Sequence, residues 1–156
     1  MANVIQAQGP LGLPPKVVEK LLTGKARKIP HLIVFDFNIA DGESWQDDTR
    51  TPSSGVFQIE AINVGANDVF KYNIKDTYYN QSWFDAPVYS YLFGGDGRSM
   101  GLLPCPILLP PSTSIIVDAR YNANDPNAGG SDSVVGQIIL IGYILEGITD
   151  EDLHLR

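Results

Sequence analysis

The chain has 156 residues, 44% hydrophobic and 19% charged, which suits one globular domain able to bury about 70% of its unfolded surface. One cysteine, Cys105, excludes an intramolecular disulfide, and no run approaches the ~20 consecutive apolar residues of a membrane-spanning helix. The net charge of −7 is unevenly placed: residues 1–30 carry five cations against Glu19 alone, a net +4, and residues 31–156 carry six cations against seventeen carboxylates, a net −11.

Residues 1–14 have no periodic pattern, and Gly9, Pro10, Gly12 and Pro14 oppose regular structure, so they read as an extended arm. Their start, MANVIQAQGPLGLPP, lacks the cationic opening and long apolar run of a signal peptide, and assembly in a cytoplasm is the expectation. PKVVEKLLT (15–23) predicts a short helix, with Pro15 in its first turn, Gly24 as its stop and Lys25 to Lys28 at the negative end of its dipole. Val17, Val18, Leu21 and Leu22 form its apolar stripe, and a helix this short needs something to pack against.

From His31 the period changes to two. HLIVFDFNI (31–39) sets Ile33, Phe35, Phe37 and Ile39 against Leu32, Val34, Asp36 and Asn38. Residues 40–55 read as a long polar loop. VFQIEAINV (56–64) predicts a strand with Phe57, Ile59 and Ala61 on one face and Gln58 and Glu60 on the other, and VFKYNIKD (69–76) a strand with Phe70, Tyr72 and Ile74 inward. The aromatic stretch 77–95 reads as loop with a short strand around 88–93. LPCPILLPP (103–111) reads as an extended connector, because its prolines forbid a central strand. SIIVDARYN (114–122) alternates Ile115, Val117, Ala119 and Tyr121 with Ile116, Asp118, Arg120 and Asn122. Residues 122–133 are a loop of turn chemistry, 134–146 are a strand apolar on both faces, and the acidic tail is expected to fray.

Six to eight strands, with little helix outside the arm, predict an all-β protein: an antiparallel β-sandwich, jelly-roll-like, with an extended N-terminal arm containing one short helix. The expected organisation is a basic arm over 1–30, a sandwich over 31–148 and an acidic tail over 149–156.

No catalytic set stands out. Cys105, between Pro104 and Pro106, reads as a buried inert thiol, and nothing in the spacing favours pairing it with His31. His31, His154 and one cysteine make a poor zinc site. Asp47, Asp48, Asp125, Asn127 and Asp132 lie in loops without the spacing of a calcium-binding loop. FGGDG (93–97) lacks the Lys-Ser/Thr and the helix of a phosphate-cradling loop. The acids of the body sit mostly in loops, where solvation accounts for them. No enzyme activity, cofactor or metal is expected, and the acidic body disfavours nucleic acid. Tyr78, Tyr79, Trp83, Phe84, Tyr89 and Tyr91 are candidate interface aromatics.

YNIKDTYYNQSWFDAPVYSYLFGG, then LLPCPILLPPSTSIIVDARYN, then VVGQIILIGYILE resemble a family of small virion proteins of tailed bacteriophages. The matching elements include Pro87, Val88, Leu92, Phe93 and Gly94, then Pro106, Leu109 to Ser112 and Asn122, then Gly142 and Tyr143. The resemblance covers the C-terminal half and the strand at 32–39, not the first thirty residues. It implies a capsid cement or decoration protein with a jelly-roll-like sandwich and no enzymatic activity. Such a protein binds the outer surface of an icosahedral head between capsomers of the major capsid protein. On this expectation the protein is a homo-oligomer, a dimer or trimer, with no membrane partner. Lys16, Lys20, Lys25, Arg27 and Lys28 would meet acidic groups on a neighbouring chain, while Val17, Val18, Leu21 and Leu22 dock the helix. The aromatic stretch and the two-sided apolar strand 134–145 are the other candidate faces. Removing residues 1–28 is then expected to abolish capsid binding and leave the sandwich folded. The competing reading is a carbohydrate- or receptor-binding sandwich of a virion, with Trp83, Tyr78 and Tyr79 stacking on sugar rings.

Overall fold

The structure is a computed structural model that describes residues 13–93 and 100–154. Helix α1 (Pro15–Leu22) precedes nine strands: β1 (Arg27–Ala40), β2 (Ser44–Arg50), β3 (Gly55–Ala66), β4 (Lys71–Asp76), β5 (Gln81–Ser82), β6 (Val88–Tyr89), β7 (Gly101–Leu109), β8 (Ser114–Arg120) and β9 (Ser133–Glu146). A 3₁₀ turn (Asp150–Leu153) follows. No described helix is long and apolar enough to cross a membrane.

The strands form two antiparallel sheets, a four-stranded one in the order β1-β9-β3-β7 and a five-stranded one in the order β2-β8-β4-β5 with β6 also on β4. β5 and β6 pair with opposite ends of β4, so together they act as one interrupted edge strand. Counted that way, eight strands run 1-8-3-6 in one sheet and 2-7-4-5 in the other, which is the strand order of a jelly roll.

The alternating residues of the sequence fill the space between the sheets. Phe35, Phe37 and Ile39 of β1 meet Phe57 and Ile59 of β3, Tyr72 and Ile74 of β4, Ile115 and Val117 of β8, and Ile138 and Leu140 of β9 in one cluster. The long pairing of β1 with β9, from Arg27↔Glu146 to Ala40↔Ser133, fixes which side chains face inward, since a slip of one residue would turn every one outward.

Several expectations need correcting. Residues 40–55 are not all loop: SWQDDTR forms β2, an edge strand on β8. Only Trp45 gives it a large inward side chain, so its period-two signal is weak. Residues 101–109 form a strand as well, but at the edge of the four-stranded sheet, where Pro104 and Pro106 cost no central hydrogen bonds. Cys105 on that edge is exposed, not buried. Ala61 does not share the inward face of Ile59, because the pairing register shifts between them and Ile62 and Val64 take the inward places.

The N-terminal helix is part of the folded body. Val17 is fully buried in a second cluster with Leu13, Ala26, Val56, Leu108, Leu145 and Ile148. Val56 alternates with inward-facing Phe57, so this cluster lies on the outer face of the four-stranded sheet. A boundary at residue 30 falls inside β1, and a cut after residue 28 would uncover Val56, Leu108 and Leu145. Through residue 154 the tail is also folded rather than frayed. Lys20 Nζ lies 2.7 Å from Asp152 Oδ2, and that carboxylate accepts from the Thr149 amide at 2.9 Å and hydroxyl at 3.2 Å. Burial opposes the Asp152 charge, but Lys20 and Thr149 outweigh it and hold the carboxyl below the usual aspartate range.

Candidate functional site

Outward-facing positions of the four-stranded sheet are apolar well beyond the part that α1 covers. On β1 these are Pro30, Leu32 and Val34, which lie directly opposite Tyr143, Ile141 and Ile139 of β9. Ile141 also faces Ala61 of β3, and Ala61 faces Leu102 of β7. The row therefore crosses all four strands. Leu32 is 55% exposed, Val34 45%, Leu102 70% and neighbouring Met100 53%. A hollow of about 590 Å³ lies over Leu32, Ile141, Tyr143, Ala61, Met100 and Leu102. Isolated exposed apolar residues are ordinary, and a contiguous patch spanning a sheet is less common.

The rim is charged. Arg27 Nη2 lies 2.9 Å from Glu146 Oε1 across β1 and β9, and the Lys28 ammonium sits 5.1 Å from the centre of the Tyr143 ring. The floor is mostly apolar, with the Glu60 carboxylate of β3 also in its lining and charged groups at the edge. Its apolar part comes from strands that are hydrophobic on both faces, a signal already present in the run IILIGY of β9 and in Leu32 and Val34 of β1.

The nine residues expected to bind a partner separate by role. Val17 is buried, Val18 and Leu21 are partly buried against the second cluster, and Leu22 is 82% exposed. The four span about 140° around the helix axis, so Leu22 turns off the sheet. Lys20, Arg27 and Lys28 are engaged with Asp152, Glu146 and Tyr143 of their own chain. Lys16 and Lys25 are exposed and form no ion pair among the described residues.

The aromatic residues do not converge on one platform. Trp83 donates to Asp76 Oδ2 at 2.9 Å, and Phe84 packs edge-on against Tyr72. Both, with Tyr78, lean on the main core. Tyr79 packs edge-on against Tyr78 and donates to the Leu108 carbonyl at 3.2 Å. Burial, and then the Asp150 carboxylate, raise the Tyr78 hydroxyl above the usual tyrosine range. Tyr89 and Tyr91 stack on each other elsewhere, with centroids 5.5 Å apart, and the Tyr89 hydroxyl lies 3.0 Å from Asp125.

The candidate nucleophile and base are also apart. Cys105 lies on β7 and His31 on β1, opposite edges of one sheet. Three interstrand steps separate them, about 14 Å. Of the candidate calcium ligands, Asp125 is engaged by Tyr89 and by the Asn127 amide at 2.9 Å, and Asp47 and Asp48 belong to β2 rather than to a loop. A scan against protein-family models finds no match, and a search of curated proteins finds none either.

Proposed function

We propose that this protein is a structural virion protein, a capsid cement or decoration protein. It seats on the outer surface of a phage head, between capsomers of the major capsid protein, and stiffens the shell against the pressure of the packaged genome. The observation that carries this reading is the apolar outer face of the four-stranded sheet, with Leu32, Val34 and Leu102 exposed on a rigid jelly roll. The sequence resemblance over 72–145 supports the same partner.

A clamp needs a stiff body and a footing that spans two units. Extended strand pairing supplies the stiffness, and the apolar face, continuous with the α1 cluster, supplies the footing. Because Lys20, Arg27 and Lys28 have partners within the chain, the footing rests on apolar contact more than on the basic arm. Self-association into a dimer or trimer would multiply weak contacts, since joined sites bind far more tightly than single ones.

The test is co-sedimentation with heads lacking the protein, followed by melting of those heads. Bound protein is expected to raise the melting temperature of the heads. Leu32→Glu combined with Val34→Glu is expected to abolish binding while the isolated protein keeps its fold by circular dichroism. Undiminished binding by that folded variant would overturn the assignment of the face.

A further inference from the structure

The opposite side of the sandwich carries a surface of different chemistry. On β4 and β8 the residues alternating with buried Tyr72, Ile74, Val117 and Ala119 point outward, and their register places Lys71 directly across from Arg120, and Asn73 across from Asp118. β2 adds Ser44 beside Arg120 and Gln46 beside Asp118. Like charges directly opposed across strands destabilise a sheet. Yet in a chain with eighteen carboxylates neither Lys71 nor Arg120 forms an ion pair among the described residues.

These cations line a groove of about 500 Å³ together with Lys75, Asp118, Gln46 and Trp45. They also line a smaller adjoining cavity of about 200 Å³ with Tyr89 and Asp125. The Lys71 ammonium is held 4.6 Å from the centre of the Tyr89 ring, and that ring is fixed in turn by Tyr91 and Asp125. One of the two cations is thus positioned before any ligand arrives.

We propose that this groove binds a carboxylate-bearing sugar, such as a uronic acid unit of an acidic polysaccharide. The ligand carboxylate sits between Lys71 and Arg120 and relieves their repulsion through charge-assisted hydrogen bonds. Sugar hydroxyls need acceptors as well as donors, and Asp118, Gln46 and Ser44 provide both on the same face. An inorganic phosphate or an acidic peptide would leave the hydroxyl-matching groups unused. The volume falls in the range of small-ligand sites. This site is separate from the apolar face and does not depend on the capsid reading.

The experiment is calorimetric titration of the full chain with trigalacturonate, with its carboxyl-reduced neutral counterpart, with hexaglutamate and with inorganic phosphate. Trigalacturonate is expected to bind at one site, at least about tenfold more tightly than the neutral sugar. Arg120→Gln and Lys71→Gln are each expected to weaken it about tenfold, Asp118→Asn to weaken it as well, and Lys28→Gln on the other sheet to leave it unchanged. Arg120 is exposed, so its variant keeps the fold and carries the test even if Lys71→Gln unsettles Tyr89. Equal affinity for both sugars, no binding of trigalacturonate, or hexaglutamate or phosphate binding as tightly as the sugar would overturn the proposal.

Discussion

Asp68, in the turn between β3 and β4, accepts hydrogen bonds from the Tyr121 hydroxyl and from the amides of Gly129 at 2.6 Å, Val69 at 2.7 Å and Ser131 at 3.3 Å. It thereby ties the long loop before β9 to the end of the sandwich. Burial opposes its charge, but the hydroxyl and the three amides outweigh that cost and hold the carboxyl far below the usual aspartate range. The folded value lies below the unfolded one, so the stabilisation is complete above the unfolded pKa of about 4 and is lost as pH falls further. Asp152, also lowered, adds to the same acid limb. Asp68→Asn is expected to cost about 1–2 kcal/mol near neutral pH, solvent screening reducing the effect, and to flatten the fall in melting temperature between about pH 5 and pH 3, as read by thermal melts across that range. Gly142 is constrained differently. A Cβ there would run into the Gln58 carbonyl, a backbone group beside the irregularity in β3 that cannot rotate away. Gly142→Ala is therefore expected to cost about 3 kcal/mol or more in chemical denaturation.

At the scale of elements, α1 has only eight residues and would not persist alone. It is helical because Val17 fills the second cluster and because Lys20 reaches Asp152 in the C-terminal 3₁₀ turn. The two ends of the described chain thus hold each other over one end of the four-stranded sheet. Val17→Ala is expected to cost on the order of 2 kcal/mol. Hydrogen exchange of the amides at 17–22 should quicken while those in the middle of β9, paired on both sides, stay protected. Equal quickening in β9 would show that α1 is integral to global folding rather than a local cap. The edge strands behave as edges should: β2 is polar and β7 carries prolines, and both features discourage pairing with another sheet.

At the scale of the molecule the sandwich presents two unlike faces, apolar on the β1-β9-β3-β7 sheet and cationic on the β4-β8 pair. They lie on opposite sides of a core some 10 Å thick, so substitutions on one should leave the other alone. Leu32→Glu with Val34→Glu is expected to remove head binding and preserve trigalacturonate binding, and Arg120→Gln to do the reverse. Co-sedimentation and calorimetry on the same two variants check this, and joint loss would mean that the faces are coupled.

Much of the fold was legible in period-two alternation. Ile33, Phe35, Phe37 and Ile39, and likewise Ile115, Val117, Ala119 and Tyr121, reveal their inward face locally because the strand pleat has a fixed period. Double-sided apolarity in β9 likewise announced a second buried or contacting face. The remainder depended on partners distant in sequence. β2 became a strand because β8 offered it an edge, and the phase of β3 changed because of a register shift that no local pattern records. Lys20, Arg27 and Lys28 found Asp152, Glu146 and Tyr143 more than a hundred residues away, which turned a basic arm into part of the body. Lys71 and Arg120 became neighbours only through pairing across forty-nine positions. Which residues form strands and which of their sides are dry follows from local sterics and hydrophobicity, and so can be read along the chain. Which outward faces come together as surfaces depends on the folded pairing, because cross-strand register sets a residue's neighbours.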